Sequence, residues 1–409
     1  MGAGAASTSG NPAGLAFLES NTLVLDVVPG LGVPVTDILD AENRAAKAVD
    51  DAIADVAAED IELSYPSLDA WAGQQSGVVS GLAVFRLGPV TASAAFEEPL
   101  ALDLSVVDTG IEALGEAVKT EDGTEVDIVA RCFLDAAGRV SVSVNRTTLA
   151  AGSRPAPSLG IGVSVSRYTA DARVVGTVRG DGIVDYGGQE YSFNDPSDPW
   201  HNELGASARG AFGGAALGWA AGVSWRPCGW AALDAVYCRT PELRLEGELT
   251  TIENTIPAVS EDGVSVEEIS ASQPTLTEET VSVHDDPLVI NLPSYAGAAL
   301  SARAGVVLLT LEYRRYMTPM GFTYEGHSEG VDLDDGIGLE LDVGGLWGGG
   351  GVVHGTVMSD PDDGGIGDAV AVPFANVGFG VGLGPGVKLD TLILAVPVQV
   401  LRLSVSYEF

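Results

Sequence analysis

The sequence predicts an all-β chain folded as a transmembrane antiparallel β-barrel of about 14 strands, with 16 as the alternative count. Three observations predict it. From Ser76 onward, apolar residues recur at every second position in segment after segment. Short turns alternate with long acidic stretches along the chain, as an up-and-down barrel with two unlike rims requires. The chain ends Leu401, Leu403, Val405, Tyr407, Phe409 on one face and Arg402, Ser404, Ser406, Glu408 on the other.

Composition supports this class and excludes others. The chain has 409 residues, 53 of them glycine, with a mean hydropathy of +0.23, which argues against a disordered low-complexity chain. No stretch is long and apolar enough for a spanning helix; 210–225 is too short and too rich in glycine. Membrane residence therefore has to come through strands. With 20 basic against 57 acidic residues the net charge is −37, so neither nucleic acid nor an anionic lipid surface is expected as a partner for the exposed parts. That charge fits a saline habitat or acidic loops that take divalent cations. Cys132, Cys228 and Cys238 have neither zinc spacing nor the number for a disulfide framework. Met1-Gly2-Ala3-Gly4 has no charged segment followed by an apolar one, so a signal peptide is absent from this chain.

In chain order, Ser7 to Ala16 is a small-residue run interrupted by Asn11-Pro12-Ala13-Gly14. Pro12 fixes its own φ and pushes Asn11 away from the α region, which makes a turn. Asn21 to Val28 predicts the first strand, and Pro29-Gly30 ends it. Thr36 to Ala58 predicts one helix, since Leu39, Ala46, Val49, Ile53 and Val56 follow the 3.6-residue period. Period-two alternation then marks 126–134, 140–145, 159–166 and 307–314 as strands. Tight links are expected at Leu87-Gly88-Pro89, Asp135 to Gly138, Tyr168 to Asp171, Arg226 to Gly229, Arg303 to Gly305 and Gly384-Pro385-Gly386. Long polar loops are expected at 107–124, 180–203, 255–293, 318–336 and 359–372.

Groups for chemistry are sparse. The four histidines are scattered, and no nucleophile elbow or phosphate loop occurs, so no enzyme and no cofactor is expected. Asp360 to Asp368 has the flavour of a calcium loop but lacks the closing glutamate. Charged residues on the polar strand faces mark a lumen. Among them Arg131, Arg314 and Arg402 are candidates for holding an anionic ligand, because a guanidinium meets a carboxylate through two parallel hydrogen bonds.

The stretch Ala5 to Ala16, with Asn11-Pro12-Ala13-Gly14-Leu15 before the first strand, resembles the N-terminal signature of the FadL-type long-chain fatty-acid transporters. Their toluene-uptake and type IX secretion relatives share it. The resemblance implies that residues 1–20 form a hatch inside a barrel of residues 21–409, with Asn11, Pro12, Ala13 and Gly14 as its gate. Arg86-Leu87-Gly88-Pro89 followed by Phe96-Glu97-Glu98-Pro99 resembles the family's second and third strands, and Pro99 would be the kink that opens the wall sideways. The implied location is the outer membrane of a Gram-negative-type bacterium. The implied partners are a hydrophobic ligand such as a fatty acid or detergent, outer-membrane lipid, and the barrel-assembly machinery through the C-terminal strand. The implied function is passive uptake of hydrophobic small molecules; the alternatives are a structural or secretion-partner barrel of the same family and a cation-preferring porin. The hatch is shorter than in the archetype and the helix at 36–58 stands in the first long loop, so none of the archetype's substrate-binding residues carry over.

Overall fold

A computed structural model describes residues 10–28, 31–34, 61–64, 68–74, 77–121, 124–192, 204–255, 275–324, 327–358, 369–394 and 400–409. The helix expected at 36–58, Ser7 to Ser9 and the acidic loop Asp360 to Asp368 lie outside them.

The strands close into a 14-strand antiparallel barrel. β1 is Thr22–Val28, continued by Leu31–Pro34, and β2 is Ile61–Ser64, Leu68–Gln74 and Gly77–Leu87. β3 is Val90–Glu121, β4 Thr124–Ala156, β5 Leu159–Tyr186 and β6 Leu204–Cys228. β7 is Ala231–Arg239 with Glu242–Thr255, β8 Thr275–Asn291 with Tyr295–Ala304, and β9 Val307–Tyr316 with Met320–Tyr324. β10 is His327–Val343, β11 Leu346–Met358, β12 Ala369–Gly384, β13 Val387–Leu394 and β14 Val400–Glu408. Thr22 pairs with Glu408 and Val27 with Leu403, so β14 returns to β1 and no edge is left. Closure pairs the first strand with the last, and a closed sheet is what lipid demands of strands that span it.

Alternation aims one apolar set outward. Ile161, Val163 and Val165 on β5, Leu309, Leu311 and Tyr313 on β9, and Leu403, Val405 and Tyr407 on β14 are all exposed. Trp219, Trp225, Tyr237 and Phe409 join this outer surface at its margins, as aromatics do at a bilayer boundary. Tyr407 and Phe409 stack with centroids 5.6 Å apart. An apolar exterior on a closed barrel is a membrane-spanning design.

Two of the expected tight links are not turns. Asp135 to Gly138 pairs throughout with Arg179 to Gly176 inside β4, and Tyr168 to Asp171 lies within β5. The error has a physical source: β3, β4 and β5 run 32, 33 and 28 residues, far beyond the 9–11 that cross a bilayer. They continue as a paired sheet above the membrane, where Asp, Gly and Ala are tolerated on both faces. The tight rim instead turns at Pro157-Ser158 and Gly344-Gly345, besides the four links expected correctly.

β7, β8 and β9 are each interrupted at the same level, by Thr240-Pro241, Leu292-Pro293-Ser294 and Met317-Thr318-Pro319. Proline cannot donate to a ladder, so hydroxyls take over. Thr240 N–H donates to Ser294 Oγ at 3.0 Å, Ser294 N–H to Thr318 Oγ1 at 2.7 Å, and Thr240 Oγ1 to the Leu292 carbonyl at 2.5 Å. The interruptions shift the alternation by one residue on β7 and β8. Cys238 and Leu243, five residues apart, thereby both face inward, as do Ile290 and Tyr295.

Candidate functional site in the lumen

The N-terminal segment sits inside the barrel. Residues Pro12–Phe17 form a short 3₁₀ turn capped by Asn11, whose Oδ1 accepts from Ala13 N–H at 3.0 Å. Pro at the first position of the turn costs no hydrogen bond. Asn11 Nδ2 also reaches the Val223 carbonyl at 3.4 Å, tying the turn to β6. Pro12, Ala13 and Leu15 are fully buried against glycines of β4, β5 and β6. A Cβ on Gly162 would stand 2.3 Å from Pro12 C, and one on Gly222 only 1.9 Å from Asn11 Oδ1. Only glycine lets the wall approach the plug this closely. Below the turn, Phe17 lies under two guanidiniums, Arg226 at 4.0 Å and Arg154 at 5.1 Å from the ring centroid.

Small hydroxyls line the lumen beside the turn and above it: Thr91 faces Gly152 and Ser224 faces Gly160 at its level, and Ser93, Ser164, Thr148 and Ser166 follow beyond them. Thr91, Ser93, Thr148, Ser164, Ser166 and Ser224 are buried, and Thr148 bonds Ser166 at 2.8 Å. Ser93 Oγ and Ser224 Oγ have no partner.

A charged belt follows. Arg146 on β4 faces Glu97 on β3 in the ladder, and the two side chains form an ion pair that is largely buried on both sides. Arg146 Nη1 donates to Tyr168 Oη at 3.4 Å, while its buried Nε–H has no acceptor among the described residues. Across the lumen Arg314 pairs with Glu312 two residues away on the same strand face, and its guanidinium lies 5.0 Å over the Tyr295 ring. Tyr295 faces Cys238 of β7 in the ladder, so Arg314 and the ring beneath it stand beside β7.

Beyond the belt an apolar cluster lines the lumen. Val142, Val144, Ala170, Ala172, Leu243, Leu245 and Ile290 are buried in it, with Leu100, Phe212 and Phe322 packed around them. Walls from β3 to β9 thus meet over two guanidiniums. A molecule with an apolar body and one anionic end matches that order of surfaces.

The wall beside this belt is incomplete. Glu97 pairs with Arg146 and Leu100 with Val144, so Glu98 and Pro99 together oppose one residue, Asn145. On its other side β3 pairs with β2 up to Ser80↔Glu97 and again from Gly73↔Asp103. Residues 98–102 have no β2 partner among the described residues. Pro99 is exposed in this gap, next to the residue that holds Arg146.

The sequence candidates are thus dispersed. Arg314 is in the belt. Arg402 is in the seam: it pairs with Asp26 of β1 and donates to Ser80 Oγ of β2 at 2.8 Å, stitching three strands. Arg131 is exposed on the extension of β4, paired in register with Leu114 and Ile183, 15 residues from Arg146 along the same strand. The structure does not bring it together with the other two. Arg146 was not among the candidates, because Asn145-Arg146-Thr147-Thr148 shows no apolar alternation. Its signal was register: it continues the inward series Val142, Val144.

No family model and no curated protein matches the chain. Among solved structures, a FadL homologue of Pseudomonas aeruginosa superposes with a TM-score of 0.50 at 13% identity, over 99% of this chain and 94% of that one. The TodX monoaromatic hydrocarbon channel, as its deltaS2 mutant, gives 0.50 at 12% identity, over 98% and 93%. At such identities the likeness is one of fold.

Proposed function

We propose that this chain, which has the barrel fold of the FadL-type channels, belongs with them and carries hydrophobic small molecules passively across an outer membrane. Its ligand has an apolar body and an anionic end, as a long-chain fatty acid has. The observation that carries this reading is the buried Nε–H of Arg146, unpartnered among the described residues, beneath an apolar cluster. An isolated buried donor costs about 1–3 kcal/mol, and a ligand carboxylate would repay that cost.

The sequence of events follows from the stacking of surfaces. The apolar cluster takes up the ligand's body, and the carboxylate meets Arg146, with Arg314 and Tyr295 across the lumen. Downward passage is closed by Pro12, Ala13 and Leu15 against the glycine floor. The gap at Glu98-Pro99 then offers an exit into the bilayer at the level of the belt. No step needs a cofactor.

Uptake into proteoliposomes tests this. Vesicles carrying the barrel are expected to take up a fluorescent long-chain fatty acid several-fold faster than empty ones, with little acceleration for a hydrophilic sugar. Equal rates with and without the barrel would overturn the reading. Sugar flux matching fatty-acid flux would assign a general porin instead.

A further inference from the structure

The outer wall carries a feature that lumenal transport does not use. Three up-running strands repeat one outward pattern from the tight rim: Ile161, Val163, Val165, Arg167 on β5; Leu233, Ala235, Tyr237, Arg239 on β7; and Leu309, Leu311, Tyr313, Arg315 on β9. Each arginine is exposed, and each lies nine residues beyond the second turn residue, Ser158, Trp230 or Val306. At about 3.3 Å per residue and a tilt near 40°, nine residues span roughly 23 Å, the height of the apolar band. All three guanidiniums therefore stand at the upper boundary of the lipid.

They also stand level with one another. Arg239 faces Trp219, two residues along β6 from Leu217, which faces Arg167. Arg315 faces Ala296 on β8, and Ala296 in turn faces Tyr237, two residues below Arg239. A stagger of about two residues per two strands is what a tilted barrel needs to hold neighbours at constant height. Successive arginines are about 10 Å apart across one intervening strand. Trp219, Tyr237 and Tyr313 lie at or just below them, with Trp219 and Tyr237 in contact at 5.3 Å.

The placement is selective. The matching position is Glu98 on β3, and on β11 it is His354, already bonded to Asp335 at 2.8 Å. In a chain with only 20 basic residues, three cations share one height on one side of the wall. Acidic neighbours are Asp171, Glu242 and Asp334, all on the side away from the membrane; Asp334 approaches Arg315 at 3.9 Å and Glu242 approaches Arg244 at 3.8 Å. Among the described residues, Arg167 faces Thr147 and Leu217 and Arg239 faces Trp219, and no ion pair is formed by either.

We propose that Arg167, Arg239 and Arg315 form a binding site on the outer wall for the phosphate groups of an outer-leaflet glycolipid. The acyl chains lie along the apolar face below, Trp219, Tyr237 and Tyr313 flank the headgroup, and the guanidiniums bind its phosphates through paired N–H donors. The proposal rests on the membrane-spanning fold and not on what passes through the lumen.

Native mass spectrometry of the detergent-purified full chain tests it, with diphosphorylated lipid A as the probe and its phosphate-free form as control. The wild-type barrel is expected to retain the phosphorylated lipid about tenfold more than the control. That preference is expected to vanish in the Arg167→Gln/Arg239→Gln/Arg315→Gln variant and to survive millimolar inorganic phosphate. Equal retention of the two lipids by the wild type would overturn the proposal without any variant, as would an undiminished preference in the triple variant. Displacement by inorganic phosphate would show a free-anion site and likewise overturn the lipid assignment. Fatty-acid uptake is expected to be unchanged by the triple substitution, so failure here and failure of the transport reading are read separately.

Discussion

Arg146 and Glu97 face each other across the β3–β4 ladder and form a largely buried ion pair, yet the guanidinium keeps one buried N–H without an acceptor among the described residues. Glu97 fixes the cation's position while that free donor points to a further anion. Arg146→Met is therefore expected to weaken binding of a fatty acid about 10- to 100-fold, the worth of one charge-assisted hydrogen bond. Binding of the corresponding methyl ester is expected to change much less. Titration calorimetry in detergent with both ligands measures the split.

The plug offers a test by size. Gly162→Val pushes a side chain into Pro12 and Ala13, whose backbone atoms lie 2.3 and 2.4 Å from the first added carbon. The turn must leave its seat. Single-channel conductance in a planar bilayer is expected to be low for the wild type and to rise at least several-fold for this variant. Phe17→Ala removes contacts with Arg154 and Arg226 worth about 0.5–2 kcal/mol and is expected to give brief openings.

The gap in β3 depends on one extra residue. Deleting Pro99 leaves Glu98 alone opposite Asn145 and makes the β3–β4 pairing continuous. Uptake by proteoliposomes is expected to fall toward the empty-vesicle rate, while fatty-acid affinity in detergent stays within about twofold, since the lumenal surfaces are untouched. A variant that still transports would place the exit elsewhere.

Much of the fold was legible in the sequence for a physical reason. Lipid on one side and a polar lumen on the other force strict alternation, so 159–166, 307–314 and the final strand declare themselves. Legibility ended where that constraint ends. Above the membrane both faces of β3 to β5 meet water, alternation carries no information, and Asp135 to Gly138 looks like a turn. Within the lumen the difficulty reversed. Arg314 stands out on an alternating strand, whereas Arg146 is hidden among polar residues and becomes visible only when β4 is set against β3. The proline interruptions of β7 to β9 were hard to see for another reason, since hydroxyls on three different strands replace the missing ladder.

The barrel seam gives a stability test. Asp26 is buried, and both Arg402 of β14 and Ser80 of β2 bind its carboxylate. Asp26→Ala leaves the half-buried Arg402 cation with Ser80 Oγ alone and is expected to cost about 1–3 kcal/mol. The double change Asp26→Leu/Arg402→Met is expected to cost less than that single one. The temperature at which the folded band is lost in a semi-native gel ranks the three proteins.

The central claim is that an amphipathic anion rests on Arg146 with its body in the apolar cluster. The most direct measurement is a crystal structure grown with a terminally brominated long-chain fatty acid, located by anomalous scattering. A carboxylate is expected within hydrogen-bond distance of Arg146 Nε, with bromine among Leu245, Ile290 and Phe322. Bromine found only on the outer wall or among the loops, with Arg146 Nε still unpartnered, would contradict it.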